Sequence, residues 1–403
     1  MAPTNVRFDP QAPLAAAPDP WRASGQPSPR VGPPYHMTEM IAAEPALAGR
    51  ILERLADSSG PAGRLAGAVG QAASAGDRIV LTGCGTSEHA ALAIVEILRE
   101  AIRAAGMHGG PGSVVSVQAF ELALDPPSSG LVIGVSHEGG TLATNRALAA
   151  AAAAGATTAL ITASAGSPGA QVAEIVVPTI ELDRSWCHTV GYLSPIVAGA
   201  AIGAHLSGRP LPIDDVVAVV AAGTRDEAGA EAIAARLADA RHLLVLGSGA
   251  DRPAGRELVL KVEEASWLPS AMRDLETFLH GHLPATDEST GLVLVLTDRD
   301  SREERLDRAR GALDAARVLG IRTAAILARD ADGDVGAELT PAGRLLVGEV
   351  QSLPAPVAAL VGSATPLQLL TERLARARGT NPDSLRRDDA RYRAASEAAE
   401  GEA

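Results

Sequence analysis

Residues 241–264 read RHLLVLGSGADRPAGRELVLKVEE, which is the order of a buried strand, a Gly-x-Gly turn and a helix. Residues 78–100 read RIVLTGCGTSEHAALAIVEILRE and have the same order. Further apolar strand candidates follow each copy, and Ala-rich helical patterns separate many of them. Continuous apolar strands that alternate with helices are typical of parallel α/β sheets covered on both faces. The repeat therefore predicts two related α/β domains.

The strand candidates outside the two copies are short apolar runs. They are residues 113–117, 131–135, 157–161, 175–180, 291–297, 322–327 and 344–349. We divide the sequence into a proline-rich arm (1–36), a first domain (37–209), a second domain (210–378) and a C-terminal tail (379–403). Nine of the 27 prolines lie in residues 1–34 with little apolar periodicity, which predicts a disordered or loosely docked arm.

Composition narrows the class of protein. Of the 403 residues, 46% are hydrophobic but only 2% are aromatic, so the cores must be built from Ala, Val, Leu and Ile. The net charge of −13 argues against nucleic acid or an anionic membrane as a partner. Two cysteines, Cys84 and Cys187, are too few for a disulfide framework, which indicates the cytoplasm. We expect no secretory leader and no apolar run long enough to span a bilayer.

Lys261 is the only lysine in a chain whose other basic residues are all arginine. Unlike arginine, lysine can lose its proton, form imines or relay protons. Glu257, Lys261 and Glu264 are spaced i, i+4 and i+7, so all three lie on one face of the predicted helix. The alternative is a solvated charged face on which one lysine survives by chance.

Two loops of the first domain follow predicted strands, where parallel sheets bind ligands. One is GCGTS, residues 83–87, and the other is SHEGGT, residues 136–141. Neither has the Gly-Lys-Ser/Thr ending of a Walker loop or the third glycine of a dinucleotide fingerprint, so no cofactor is predicted. Their hydroxyls and free amides favour a small anionic or polyol ligand, although simple helix caps are the alternative.

Two further stretches carry histidines. In DLETFLHGHLPATDE, residues 274–288, a metal pair of His280 and His282 lacks a supporting cluster of ligands, so no metal is predicted. We favour a general acid or base at this place. In DRSWCHTVGY, residues 183–192, adjacent Cys187 and His188 point apart, and we interpret Cys187 as structural.

Together these motifs resemble the sugar isomerase (SIS) family, most of all the tandem-SIS isomerase half of glucosamine-6-phosphate synthase. The resemblance covers roughly residues 37–385. It is carried, in order, by CGTS (84–87), VSHEGGT (135–141), GSGADRPAGRELVLKVEEAS (247–266), ETFLHGHLPATDE (276–288) and PLQLLTERLARARGTNPD (366–383). It implies two flavodoxin-like domains, each with a five-stranded parallel sheet flanked by helices, in a homodimer.

The resemblance also implies roles for single residues. Glu264 matches the base of the isomerisation, Lys261 a lysine that assists it, and His280 a ring-opening histidine that reaches in from the neighbouring subunit. The implied substrate-binding residues are Cys84, Gly85, Thr86, Ser87, Ser136, His137, Glu138, Thr141 and Thr189. The partner is a small sugar or sugar phosphate.

The sequence departs from the family pattern at three places. We expect no glutaminase before the arm and therefore no use of glutamine. The family's imine-forming tail lysine has no counterpart in SLRRDDARY, residues 384–392. His137 and Glu138 stand in the phosphate loop, where a carboxylate about 4 Å from a phosphate costs on the order of 4 kcal/mol at an effective dielectric near 20. Either Glu138 turns away, or the ligand carries something other than phosphate there.

The sequence thus predicts an aldose–ketose isomerase, or a related deaminase or deglycase, that acts on a sugar or amino-sugar phosphate through an enediol-type intermediate. The alternatives are a non-catalytic module that binds a carbohydrate derivative and a scaffold that keeps only the fold. Glu264, Lys261 and His280 together favour the enzyme.

Overall fold

A computed structural model describes residues 8–25, 27–107, 112–348 and 350–400, which form two five-stranded parallel sheets flanked by helices. The first sheet consists of β1 (Ile79–Thr82), β2 (Val114–Ser116), β3 (Leu131–Val135), β4 (Thr157–Thr162) and β5 (Ile175–Pro178). The second consists of β6 (His242–Gly247), β7 (Ser270–Asp274), β8 (Thr290–Leu296), β9 (Arg322–Ala328) and β10 (Gly343–Val347).

The helices alternate with these strands. Those of the first half are α1 (His36–Arg54), α2 (Pro61–Ala75), α3 (Thr86–Ala104), α4 (Ala119–Leu124), α5 (Leu142–Ala154), α6 (Val190–Ser207), α7 (Ile213–Gly223) and α8 (Glu227–Leu237). Those of the second half are α9 (Asp251–Ser266), α10 (Leu275–Thr277), α11 (Arg302–Val318), α12 (Ala355–Ala377) and α13 (Ala390–Glu400). A π-helical turn (Phe278–His282) and short 3₁₀ turns (Leu283–Ala285, Arg329–Asp334 and Ala337–Leu339) complete the second half.

The two sheets have the same strand order. The first runs β2-β1-β3-β4-β5, and the second, taken from its other edge, runs β7-β6-β8-β9-β10. This is the flavodoxin-like order, in which ligands bind beyond the carboxyl ends of the strands where the order reverses. The predicted fold class is confirmed. The central strands β3 and β8 are buried along their whole length, because both faces of each sheet are covered.

One strand, β7, is absent from the strand candidates. Its sequence SAMRD is half-buried throughout and ends in two charged residues, so it lacks the apolar run by which the other strands are recognised. It lies at the edge of the second sheet, paired only with β6. Edge strands tolerate such polar sequences because one side is not covered by a neighbour.

Helix α6 corrects the expectation that no apolar run is long enough to span a bilayer. Its 18 residues pass that test by length and composition, with a mean hydropathy of 1.3. However, 78% of the helix is buried inside the protein, where it packs against α1, α2 and α3. Its apolar character is therefore accounted for by its place in the core.

The described residues of the proline-rich arm contact the rest of the protein at several places. The backbone N–H of Leu14 donates to the carboxylate of Glu181 at 2.8 Å, and Ala16 forms an antiparallel bridge with the same residue. Farther along, the side chain of Asn381 donates to the carbonyl of Arg30 at 2.7 Å. The arm thus runs from the edge of the first sheet to the C-terminal tail.

Glu44 on α1 is fully buried, and neither of its carboxyl oxygens has a hydrogen-bond partner among the described residues. Burial, opposed by the side chain of Gln368 and aided by the charge of Asp183, raises the pKa of Glu44 well above its usual value. A group whose pKa is raised on folding contributes stability below its unfolded pKa, near 4.5, and that stability is lost as the pH rises through the folded pKa.

We therefore expect Glu44→Gln to stabilise the protein relative to the parent at pH 8 but not at pH 4.5. The advantage of the variant over the parent should grow as the pH rises from 4.5 to 8, because the parent must then either bury a charge or hold a proton against the solvent pH. Urea unfolding across this pH range measures it. The matched control is Glu53→Gln, an exposed residue on the same helix. Equal pH dependence in the two variants would contradict the assignment of a neutral Glu44.

Candidate active site

The centre of the site is Lys261 on α9, whose side chain is fully buried. Its Nζ lies 2.5 Å from Oε2 of Glu264 and 3.7 Å from Oε1 of Glu257. Burial opposes the charged form of Lys261, but Glu264, with Cys187 and Glu257, outweighs it and raises the pKa of the lysine. Lys261 is thus a fixed cation, and in this arrangement it is not available as an imine-forming amine.

Glu264 is the member of this group that solvent reaches. Its side chain is 26% exposed, whereas those of Lys261 and Glu257 are fully buried. Glu264 lies near the end of α9 and faces a pocket. A carboxylate that is held by a buried cation and open on one side has the arrangement required of a general base.

Glu257 connects α9 to the first ligand loop. Its carboxylate accepts a hydrogen bond from Oγ1 of Thr86 at 3.2 Å and lies 2.7 Å from Nδ1 of His89. The hydroxyl of Thr86 is thus engaged with Glu257, and its binding of substrate stays a prediction. Cys84 is half-buried with its Sγ 3.8 Å from the hydroxyl of Thr144, whereas Gly85 is exposed at the start of α3 and Ser87 is half-buried.

The second ligand loop is held tightly against its own sheet. Ser136 is buried and donates to Oγ1 of Thr141 at 3.2 Å. Gly139 has a φ of 75°, and a Cβ there would lie 2.0 Å from the hydroxyl of Ser167, so only glycine fits. These contacts fix the conformation of the loop.

The arm covers this loop at Glu138. The backbone N–H of Ser24 donates to Oε2 of Glu138 at 3.0 Å, and the hydroxyl of Ser24 donates to the other oxygen. The indole N–H of Trp21 donates to the carbonyl of Glu138 at 3.2 Å, and its ring lies against Gly140. The carboxylate of Glu138 is thus bound to the arm.

Two half-buried histidines and one buried aspartate form a cluster: His137 follows β3, and Asp183 and His188 follow β5. The backbone N–H of Asp183 donates to Nε2 of His137 at 2.8 Å, and Nδ1 of His188 lies 3.6 Å from the carboxylate of Asp183. Burial, helped by the charge of His188, lowers the pKa of His137 to about 4, so this ring is neutral. Burial opposes the charge on His188, but Asp183 outweighs it and raises the pKa of His188. His188 is therefore the histidine that readily carries a proton.

Cys187 joins this cluster to α9. Its Sγ lies 3.9 Å from the carbonyl of Lys261, and burial raises the pKa of its thiol well above the usual value. Thr189 is fully buried, and its backbone N–H donates to Asp183 while its carbonyl accepts from Gln368. Thr189 therefore supports the cluster from within the protein.

His280 lies apart from these residues. Its side chain is 71% exposed, and its Nε2 lies 2.5 Å from Glu276, which also binds Arg308. Among the residues described in this single chain, the side chain of His280 has no hydrogen bond or ion pair with Lys261 or Glu264. A role for His280 in the chemistry thus depends on a second copy of the chain.

Sequence reasoning did not assign His89, Asp183 and His188 to the site. His188 was considered only with its neighbour Cys187. Asp183 precedes it in the same stretch of sequence and was a possible partner. His89 lies one helical turn after the predicted loop residue Thr86, and that spacing on one helix face was a usable signal.

Comparisons with known proteins give one family match. Residues 236–332 match the family described as the SIS domain. The resemblance to SIS proteins is thereby confirmed, and the matched residues include α9 with Glu257, Lys261 and Glu264. The first sheet has the same strand order as the second, which contains these residues.

The similarities that extend over most of the chain have low sequence identity. The chain is 28% identical over 369 residues, 87% of its length, to a glutamine–fructose-6-phosphate aminotransferase (isomerizing) of Gloeobacter violaceus, of which it covers 57%. It spans about half the length of the curated relatives it matches. It also resembles the C-terminal domain of glucosamine-fructose-6-phosphate aminotransferase from Francisella tularensis, with a TM-score of 0.71 at 18% identity, covering 87% of this chain and 98% of that one.

A second solved structure has the same fold. Tagatose-6-phosphate ketose/aldose isomerase from Escherichia coli matches with a TM-score of 0.68 at 18% identity, covering 89% of this chain and 97% of that one. At this identity the match establishes the tandem arrangement of two flavodoxin-like domains.

Proposed function

We propose that the protein moves a proton between neighbouring carbons of an open-chain sugar or amino sugar, as an aldose–ketose isomerase or a related deaminase or deglycase. The observation that carries this proposal is the pairing of Glu264, 26% exposed, with the fully buried cation of Lys261 at 2.5 Å. A base for an acidic C–H must reach the substrate and be held in one orientation, and this pair meets both conditions. The names of the relatives support the same class.

In the proposed reaction, Glu264 takes the proton from C2 of the open-chain aldose, and the electron pair forms the double bond of an enediol-type intermediate. The hydroxyl proton on O2 is transferred to O1. Glu264 then returns its proton to C1, which leaves the ketose. We assign the transfer between the two oxygens to His188, which lies in the cluster next to Lys261 and whose side chain is 31% exposed.

The test is exchange with deuterated water. A sugar whose C–H proton passes through a carboxyl group picks up deuterium at C1 or C2, and NMR detects this whatever the final product is. Fructose 6-phosphate, glucosamine 6-phosphate and the two unphosphorylated sugars form the panel, with binding followed by thermal shift. We expect exchange in at least one of them. Binding without exchange would favour the alternative, a non-catalytic carbohydrate-binding module, and would overturn the proposal.

We further propose a homodimer in the cytoplasm in which each site receives His280 from the partner. Two observations support it. His280 is exposed and is oriented by Glu276, which Arg308 holds in turn. Cys84 and Cys187 are both free thiols, as in most cytoplasmic proteins.

The prediction is complementation between inactive chains. His280→Ala and Glu264→Gln should each be inactive alone, and mixing them should restore up to about a quarter of the parent activity, because one of the two sites in a hybrid dimer is intact. Isotope-labelled chains followed by native mass spectrometry verify that subunits exchange. If hybrid dimers form and stay inactive, both residues belong to a site within one chain.

A further inference from the structure

A pocket next to Glu264 is walled by the end of α9 and by the C-terminal tail. The residues of interest in its lining are Glu263, Glu264, Trp267, Arg386, Arg387 and Tyr392. The tail segment thus lies beside Glu264, the member of the Lys261–Glu264 pair that solvent reaches.

The two tail arginines are stacked on aromatic rings. Cζ of Arg386 lies 4.5 Å from the ring centre of Trp267 and 4.2 Å from that of Tyr392. Cζ of Arg387 lies 3.6 Å from the ring centre of Trp186. Stacking uses the faces of a guanidinium and leaves the N–H groups at its edge able to bind a planar or tetrahedral oxyanion. Within the described part of the chain, neither guanidinium has an ion pair or a hydrogen bond.

The backbone around this pocket is strained. Five described residues other than glycine have a positive φ, and three of them line this pocket: Trp267 (54°), Leu385 (44°) and Arg386 (62°). Such conformations are concentrated at ligand sites, where the surrounding structure maintains them. Two of the three residues, Trp267 and Arg386, also stack on each other.

Two of the charged groups that line the pocket are cations. The guanidiniums of Arg386 and Arg387 lie there with the carboxylates of Glu263 and Glu264. Lys261 is 2.5 Å from Glu264 and is shared with buried Glu257 at 3.7 Å. The backbone N–H of Ser270 donates to the carboxylate of Glu263 at 3.0 Å. In contrast, the loop of residues 136–141 carries the carboxylate of Glu138, which would repel an anion.

We infer that Arg386 and Arg387 bind the anionic group, a phosphate or a carboxylate, of the sugar whose carbon Glu264 deprotonates. The site itself is defined by the pocket and by the stacked guanidiniums, which have no ion pair within the described part of the chain. The identity of its ligand as a sugar rests on the proposed function. The anion is thereby moved from the second ligand loop, where the family resemblance places it, to the tail.

Binding of defined probes tests this inference. Two of the three tryptophans, Trp186 and Trp267, touch the arginines, so their fluorescence should report the binding of an anion, with Trp21→Phe removing the third. The probes are inorganic phosphate, fructose 6-phosphate and glucuronate, with fructose as the neutral control. We expect Arg386→Met/Arg387→Met to weaken binding of at least one anionic probe by about 10- to 100-fold and to leave fructose unaffected.

The matched control is Arg391→Met, which removes one positive charge from the same tail. Arg391 is 82% exposed, pairs with Asp389 and does not line the pocket. Its affinities should equal those of the parent, and an equal loss in both variants would reduce the effect to net charge and overturn the inference. Arg386→Lys, which keeps the charge but loses the planar fork, should weaken binding several-fold and serves if the double variant does not fold.

Titrations in the Glu264→Gln background separate this inference from the proposed function, because they need no turnover. Unchanged binding of all anionic probes by the arginine variants, or no binding by the parent, overturns the anion site. Loss of binding in a protein that never exchanges deuterium leaves the anion site standing and rejects the reaction. A loss confined to phosphate compounds or to glucuronate identifies the anion.

Discussion

Replacing Glu264 by glutamine is expected to abolish proton exchange while sugar binding persists. Glutamine has nearly the same shape and can still accept a hydrogen bond from Lys261, but it cannot take a proton. Loss of a general base lowers turnover by about 10²- to 10⁴-fold. Deuterium exchange measures the rate, and calorimetric titration measures the binding. Lys261 keeps its second carboxylate, Glu257 at 3.7 Å, so the fold should survive the change.

Glu303→Gln is the control for this variant. Glu303 is an exposed glutamate on α11 that does not line the pocket next to Glu264. It should retain most of the turnover, since its side chain takes no part in the Lys261 pair. Glu264→Gln with near-parent exchange rates would remove Glu264 from the mechanism.

Lys261→Met should be the most damaging single change to stability. It leaves two carboxylates, one of them fully buried, without the cation between them. Removing one partner of a buried ion pair costs about 3–5 kcal/mol, because the remaining charge is uncompensated. Urea unfolding measures the loss, and turnover should fall as well, because Glu264 loses the group that orients it. A loss below about 1 kcal/mol would show that the ion pair is not formed in solution.

Lys261→Arg and Glu257→Gln sharpen this test. Arginine keeps the charge, but its larger planar head does not fit a fully buried ammonium site, so we expect intermediate stability and low turnover. Adding Glu257→Gln to Lys261→Met should recover part of the lost stability, since one stranded carboxylate disappears. Additive losses in this double-mutant cycle would contradict a direct interaction.

The fold was predictable because its signals are local. Apolar strands followed by Gly-x-Gly turns mark β1 and β6, and the spacing of Glu257, Lys261 and Glu264 on one helix face requires only helical geometry. Strand β7 was missed because its pairing with β6, rather than its composition, makes it a strand. For the same reason, the sequence placed Lys261 correctly on α9 but did not predict its protonation state. That state depends on burial and on Cys187 from another loop.

The rest of the candidate site depends on contacts between distant segments. His137 meets Asp183 across 46 positions, and Ser24 meets Glu138 across 114. Contacts between such distant residues leave no periodic pattern in the sequence. The sequence therefore could not decide whether Glu138 turns away from the ligand or faces it. In the structure, its carboxylate binds Ser24 of the arm. The stacking of Arg386 on Trp267 likewise joins the tail to α9 through tertiary structure alone.

The shared strand order of the two sheets has a consequence for how this protein arose. If the halves descend from one duplicated ancestor, superposing their Gly-x-Gly turns sets Lys261 opposite Ile97 and Glu257 opposite Ala93, both buried and apolar. The second copy thus carries the charged group at positions where the first copy is apolar. Because Thr86 and His89 of the first copy bind Glu257 of the second, a change at these positions in either copy would disturb the other.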